Sequence, residues 1–291
     1  MPSLATVRTS NASYKPTYLP VAIFLGGTSG MGRGTADAFV RHTNGPAHII
    51  LVGRNAAAAR SILASFLKPI SSSLPWKHES VECDASLVRN AHETATALAS
   101  RPNLPLVHFL VFTAGYFSLG GREDTKESRP QARAVLLLAL GVHNGVAVLG
   151  AGRGPKVDLD NLGLKEGYTG QAGTDAGVTY TDLMIEELAA RNPTIAFTHT
   201  HPGLVKTSLF DFPNVAVRLL VKPVLWLVAK SEADAREYHL HGLLNAKAGA
   251  SRRDEHGEEM NKEPAYGRGE SEASRRVWAQ TEEVVRACTQ M

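Results

Sequence analysis

The first two thirds of the chain alternate short apolar runs with segments whose apolar residues recur at helical spacing. Residues 21–25 and 104–112 are almost wholly apolar, as is typical of strands buried on both faces of a sheet. The segments between such runs have the spacing of amphipathic helices. This order favours an α/β fold with a doubly wound parallel sheet. We predict six strands, at residues 21–25, 47–55, 80–86, 104–112, 145–149 and 194–199.

The predicted helices follow the strands. Ser86 is expected to cap the helix after the third strand, and Thr179 is expected to begin the helix that precedes the sixth. Residues 1–20 are rich in Ser, Thr and Pro with little period, which predicts an extended arm. Predicted helices lie at residues 35–42, 56–67, 86–98, 179–191, 214–229, 231–246 and 277–288, and predicted loops at 158–175 and 251–266.

Composition narrows the class of protein. The chain has 291 residues with 43% apolar content, enough to bury a full core in one domain. The net charge of +3 comes from interspersed charges, which argues against a nucleic-acid partner. Cys83 and Cys288 imply no disulfide framework and fit a reducing, cytoplasmic location. We see no signal peptide, no membrane span and no cluster with zinc-ligand spacing, so we expect no metal.

A glycine-rich turn links the first strand to the first helix. Gly26, Gly30 and Gly32 have the spacing G-x-x-x-G-x-G, and Thr28, Ser29 and Met31 lie between them. Glycines allow a tight turn and a close approach of backbone N–H groups to a pyrophosphate, which the helix N-terminus also attracts. The turn therefore predicts a dinucleotide site, with an ordinary loop as the alternative.

This spacing resembles the cofactor turn of the short-chain dehydrogenase/reductase superfamily, and the resemblance covers about residues 21–207. It implies a Rossmann fold and further cofactor contacts, each at the end of a strand. Arg54 stands where NAD users carry an acidic residue, so NADP(H) is favoured over NAD(H). A solvated loop arginine is the alternative interpretation. The other implied contacts are Asn55, the pair Asp84 and Ala85, the pair Ala114 and Gly115, and Pro202, Gly203 and Thr207.

The superfamily's catalytic residues are missing from this chain. In the family, a tyrosine acid and a lysine four residues later reduce the carbonyl together with a serine after the fifth strand. No Tyr-x-x-x-Lys occurs here; the tyrosine position falls near 170–172, the lysine near 174–176 and the serine near 148–149. Substitute acids would be Tyr168, Tyr180 or His201, and structural roles are the alternative for Tyr180 and His201.

The segment before the fifth strand is short. Residues 115–149 lack about one helix compared with the family, and a lost exon or an incorrect gene model would explain the difference.

We divide the chain into an N-terminal arm (1–20), an NAD(P)-binding Rossmann domain (21–210) and a helical C-terminal extension packed on the same domain (211–291). Residues 204–266 either cover a substrate or simply extend the structure. The resemblance implies an NADP(H)-dependent oxidoreductase acting on a small-molecule carbonyl or alcohol. A catalytically inactive NADP(H)-binding pseudoenzyme, acting as a scaffold or sensor, is the alternative, and a homo-oligomer is compatible with either.

Overall fold

A computed structural model describes residues 1–69, 75–104, 106–114, 150–206, 229–260, 265–266 and 271–290, and the backbone alone of 144–148. Its centre is a seven-stranded parallel sheet with the strand order β3-β2-β1-β4-β5-β6-β7. The strands are β1 (Val21–Leu25), β2 (His48–Gly53), β3 (Lys77–Glu82), β4 (Phe109–Phe112), β5 (Asn144–Val148), β6 (Ala196–Thr200) and β7 (Gly249–Arg253). The described helices are α1 (Leu4–Ala12), α2 (Gly30–His42), α3 (Ala56–Ser65), α4 (Val88–Ala99), α5 (Gly170–Arg191), α6 (Glu232–Leu244) and α7 (Glu272–Thr289).

The predicted α/β fold is confirmed and all six predicted strands are present, although β3 begins and ends earlier than predicted and β4 begins only at Phe109. Successive residues of the central strand β1 point to opposite sides of the sheet. Because they are all apolar, both faces are covered by helices. Ile23 packs with α4 on one face, in a cluster that includes Val88 and Cys288. Phe24 packs with α2 and α6 on the other face, in a cluster that includes Phe39 and Leu240.

A seventh strand, which the sequence does not predict, ends inside the predicted charged loop 251–266, so that prediction is wrong for residues 251–253. β7 pairs in parallel with β6, and its sequence GASRR has no apolar run. Arg252 and Arg253 are nevertheless buried. Arg252 is buried against carboxylates of α5, and Arg253 donates to the carbonyl oxygens of Asn245 and Gly257. The sequence pattern does not reveal this strand, because the groups that compensate its two buried arginines are distant in the sequence or belong to the backbone.

Three predictions about helices are also wrong. The N-terminal arm is not extended throughout, because α1 forms within it and is capped by the Ser3 side chain. α5 begins at Gly170, capped by Thr169, and not at Thr179. Ser86 does not cap α4, since its hydroxyl donates to Asp84 Oδ1 at 2.7 Å.

A buried carboxylate, that of Glu237, contributes to joining the helix α1 to the rest of the fold. Asn11 Nδ2 donates to Glu237 Oε2 at 3.0 Å, and Glu237 also accepts from Arg41 at 3.0 Å and from His42 at 2.9 Å. Burial by itself would raise the pKa of Glu237, but the hydrogen bonds outweigh it and lower the pKa to about 2. Glu237 therefore remains ionised and links α1, α2 and α6.

The described C-terminal helices pack on opposite faces of the sheet. α6 packs on α1 and α2, whereas α7 packs on both α4 and α5 on the opposite face of the sheet. Val277 and Trp278 of α7 pack against Leu183 of α5, and Cys288 lies in the cluster under α4. Within residues 204–266, α6 and β7 are packed into the fold, and whether this segment also covers a substrate stays a prediction. Residues 207–228, which include most of the predicted helix 214–229, lie outside the described residues. In the part of the chain that is described, no helix has the length and apolar character to cross a membrane.

Candidate cofactor site

The glycine turn lies at the point where the order of the strands reverses. The chain runs from β1 outward to β2 and β3, then returns to β4 on the other side of β1. In open parallel sheets, ligands bind beyond the carboxyl ends of the strands at this reversal. Gly26 leaves β1 there with φ +86°, and its N–H donates to Val52 O at 2.9 Å. The turn is therefore positioned at the crevice that the fold creates.

The turn is packed too closely for any side chain at two glycines. A Cβ on Gly26 would lie 2.6 Å from the backbone nitrogen of Ala114. A Cβ on Gly32 would lie 2.2 Å from Thr113 Oγ1 and 2.6 Å from the carbonyl oxygen of Gly26. Thr113 itself donates its hydroxyl to Leu25 O at 3.1 Å. Two predicted cofactor segments, the turn and the end of β4, are thus in direct contact.

The N-terminus of α2 has the properties of an anion site. Its cap residue, Ser29, makes no side-chain cap bond, and no acidic residue lies in the first turn. Gly30 has φ +50°. Arg33 is exposed in the same turn, although a cation is unfavourable near a helix N-terminus unless an anion is bound there. A phosphate would satisfy the first-turn N–H groups and balance this positive charge.

The end of β2 lies beside the turn. A Cβ on Gly53 would meet the Thr28 side chain, with Oγ1 at 3.0 Å, so Thr28 reaches the strand end just before Arg54. The Arg54 side chain is exposed. The neighbouring Asn55 caps α3, since its Oδ1 accepts from Ala58 N at 2.9 Å. Arg54 is therefore exposed at the strand end that lies beside the glycine turn.

The remaining predicted contacts occupy other strand ends. Asp84 Oδ1 accepts from Ser86 N at 3.1 Å and forms a local turn after β3, and Ala85 packs on the cluster under α4. Met31 lies in the first turn of α2 and is half-buried. Gly115 and Thr207 lie outside the described residues.

The turn after β6 is held from two sides. His201 N donates to Arg253 O at 2.8 Å, which extends the pairing with β7 by one residue. Gly203 has φ +72°, and a Cβ there would lie 3.0 Å from Glu255 Cβ. Leu204 O accepts from Lys230 N at 2.9 Å. Pro202 and Gly203 are thus fixed at the carboxyl end of the sheet.

The three substitute acids lie in different environments, and His201 lies in the turn after β6 and lines a small cleft beside α6. Tyr168 is half-buried directly before α5, and a Cβ on Gly173 would lie 3.1 Å from its hydroxyl oxygen. Tyr180 packs in the cluster between α5 and α7, and its hydroxyl accepts from Gly163 N at 3.2 Å. Burial, the largest influence, raises the pKa of Tyr180. The setting of Tyr180 favours a structural role, whereas the Tyr168 ring lies along the first turn of α5.

A buried polar cluster lies under the same edge of the sheet. His199 Nδ1 and Asp182 Oδ1 are 2.7 Å apart, and Asp182 also pairs with Arg252 Nε at 3.0 Å. Gly152 N donates to Asp182 Oδ2 at 2.9 Å, and Arg252 also contacts Glu186. The His199 side chain has no exposed surface, so it cannot touch a substrate. The cluster holds α5 and the segment after β5 on the sheet.

One group of potential metal ligands lies within the described residues. Asp254, Glu255 and His256 place ligand atoms within 4.8 Å of one another, and all three are partly exposed. Neighbouring exposed acidic groups commonly occur without an ion, and no second feature here points to one.

The chain is similar to known proteins in sequence and in fold. A short-chain dehydrogenase/reductase from Serratia marcescens matches with a TM-score of 0.56 and 14% identity, over 82% of this chain and 97% of that one. An oxidoreductase from Emericella nidulans is 30% identical over 267 residues, which cover 84% of this chain and 78% of the relative. The chain belongs to the short-chain dehydrogenase/reductase superfamily.

Two further proteins are similar to this chain. The oxidoreductase andH of Emericella variicolor is 32% identical over 227 residues, covering 72% of this chain and 65% of the relative. A reductase/Diels-Alderase from Malbranchea aurantiaca has a TM-score of 0.55 and 16% identity, over 86% of this chain and 98% of that one. No protein-family model matches the chain. These relatives support an oxidoreductase, and the low-identity structures show its fold.

The sequence-based prediction of the site lacks two residues at the glycine turn. Thr113 is not among the predicted contacts, yet its hydroxyl packs against both Gly26 and Gly32. Arg33 is not among them either, although a basic residue in the first turn of a helix after a glycine turn indicates a bound anion.

Proposed function

We propose that this superfamily member is an NADP(H)-dependent oxidoreductase that interconverts a small-molecule carbonyl and an alcohol. The observation that carries the proposal is the contact of Gly26 and Gly32 with Thr113 and Ala114 at the strand reversal. At Gly26 and Gly32 the backbone itself carries no side chain, which suits the close approach of a pyrophosphate. The buried cysteines, neither of them disulfide-bonded, support the cytoplasmic location that we also propose.

The preference for NADP(H) rests on charge. Arg54 is exposed after β2, and Thr28 reaches the same strand end. A guanidinium can form two charge-assisted hydrogen bonds with a 2′-phosphate, which NAD(H) lacks. Arg33 adds a second positive charge near the pyrophosphate end.

A fluorescence titration of purified protein tests the proposal. We expect NADPH to bind about ten-fold more tightly than NADH, as one additional charge-assisted contact would produce. The preference should weaken as salt is raised, because the added contact is between exposed charges. Equal affinities would remove the role of Arg54, and no binding of either nucleotide would overturn the proposal.

The bound nicotinamide supplies the hydride, so the protein must supply a proton to the carbonyl oxygen. We propose Tyr168 for this step. α5 follows β5 in a parallel sheet and therefore begins at the carboxyl edge, where the crevice lies. The Tyr168 ring packs over Gly173, a position at which a Cβ would lie 3.0 Å from the ring. The hydroxyl would donate its proton to the carbonyl oxygen as the hydride reaches the carbon.

Replacing Tyr168 with phenylalanine removes only the hydroxyl and should lower turnover about 100-fold, the contribution of a general acid. NADPH affinity should stay unchanged because the ring keeps its packing. Steady-state oxidation of NADPH against a panel of aldehydes and ketones measures the turnover.

Tyr180→Phe is the matched control, since that hydroxyl accepts from Gly163 and should affect stability more than turnover. Full activity of the Tyr168 variant would exclude Tyr168 as the acid. A wild-type protein that binds NADPH but turns over no member of the panel would support the pseudoenzyme alternative.

A further inference from the structure

A buried histidine connects the two sides of the cofactor crevice. His239 lies on α6, outside every motif of the superfamily named above, and its side chain is buried. Its Nδ1 lies 3.0 Å from Thr35 Oγ1 on α2, and its Nε2 lies 3.1 Å from Thr200 Oγ1 at the end of β6. One imidazole therefore contacts the helix of the glycine turn and the strand that leads into Pro202.

The hydrogen bonds determine which ring nitrogen carries the proton. The Thr35 hydroxyl donates to Met31 O at 2.8 Å, so its proton is already used. Nδ1 of His239 must then donate to Thr35 Oγ1, and in a neutral imidazole Nε2 must accept from the Thr200 hydroxyl. Burial lowers the pKa of His239 to about 4, in agreement with a neutral ring. These hydrogen bonds thus run in one direction, from the Thr200 hydroxyl through His239 and Thr35 to the carbonyl oxygen of Met31.

Both ends of this series of hydrogen bonds lie at or next to predicted cofactor contacts. Met31 is in the first turn of α2, between Gly30 and Gly32. Thr200 directly precedes the turn of His201, Pro202 and Gly203. A small cleft separates this turn from α6, lined in part by Pro202, Tyr238 and His239. The bond between Thr200 and His239 therefore acts on the turn from the α6 side, in addition to the backbone bonds to Arg253 and Lys230.

We propose that His239 is a positioning residue that holds the His201–Gly203 turn in register with the glycine turn, so that one dinucleotide can contact both. The inference rests on the proposed function, because it assumes that both turns bind NADP(H). His239 does not touch the reacting atoms. It sets the distance between the half of the site that binds the phosphates and the half that borders the nicotinamide.

Two ligands separate this role from a general loss of stability. NADPH spans both halves of the crevice, whereas adenosine 2′,5′-bisphosphate carries the adenosine and phosphates without the nicotinamide. His239→Phe should weaken NADPH about ten-fold, as expected for lost buried hydrogen bonds, and leave the bisphosphate affinity unchanged. Calorimetry with each ligand measures both affinities.

Thr200→Val is the second variant, since valine has the shape of threonine and tests the same bond if the His239 variant does not fold. It should reproduce the selective loss of NADPH affinity, and the double variant should lose no more than either single variant. Thr198→Val is the matched control. Thr198 is buried on the same strand and bonds to Ser251 at 3.0 Å, away from both turns.

The possible results are distinct. A selective loss for NADPH in the His239 and Thr200 variants, absent from Thr198→Val, supports the proposal. Equal losses for both ligands, no loss for either, or the same selective loss in Thr198→Val would overturn it while leaving the proposed function in place. A wild-type protein that binds neither ligand would overturn both.

Discussion

Replacing Gly32 with alanine should lower NADPH affinity about 100-fold, the effect of losing two or more charge-assisted contacts to phosphate. The new Cβ would lie 2.6 Å from the carbonyl oxygen of Gly26 and 2.2 Å from Thr113 Oγ1. The threonine side chain can rotate, but the Gly26 carbonyl belongs to the turn itself. The start of α2 must therefore move away from the turn, and its N–H groups no longer converge on a phosphate. Quenching of NADPH fluorescence measures the loss.

Gly34→Ala is the control for this variant. It makes the same change two residues farther along α2, where the new Cβ would lie 3.3 Å from Cβ of Arg236 on α6 and needs a shift of only a few tenths of an ångström. Alanine also favours the helix over glycine by about 1 kcal/mol, so the control should bind NADPH normally and melt no earlier. If Gly32→Ala retains wild-type affinity, the turn is structural and the cofactor site must lie elsewhere.

Replacing Arg54 with aspartate should reverse the nucleotide preference. The change removes the charge-assisted contacts and places a carboxylate near the 2′-phosphate, so NADPH affinity should fall about 100-fold. NADH should bind at least as well as to the wild type, because aspartate can accept from the free ribose hydroxyl. Parallel titrations with both nucleotides at low and moderate salt measure the change in preference.

Arg60→Asp is the matched control for that charge reversal. Arg60 is exposed on α3, which begins directly after Arg54, so the variant has the same net charge without altering the strand end. It should leave the ratio of NADPH to NADH affinity unchanged. An equal shift in both variants would mean that overall charge, and not a local contact at Arg54, governs the preference.

Local sequence patterns account for the strands and the glycine turn. The apolar runs of β1, β2 and β4 predict buried strands because a strand covered on both faces has no polar side. The spacing of Gly26, Gly30 and Gly32 predicts the turn, since the glycines that allow it lie close together along the chain. The same local logic places Arg54 at a strand end, and its role there stays a prediction.

The two elements that the sequence does not predict, β7 and α1, depend on partners that are distant in the sequence. β7 has two arginines, and it can be buried only because Arg252 meets Asp182 and Glu186 of α5. The helix α1 has little apolar surface of its own, and Asn11 is buried because Glu237 accepts its amide. Neither partnership leaves a periodic signal in the sequence.

The sequence by itself determined the parallel α/β fold, the position of the glycine turn and the absence of Tyr-x-x-x-Lys, because each depends on residues that are close along the chain. Only the tertiary structure decided that Thr113 packs against Gly32 and that His239 joins α2 to β6. His239 is 204 residues from Thr35 and 39 from Thr200, so no local pattern relates them. Their contact exists because the sheet reverses its order at β1 and α6 folds back over α2.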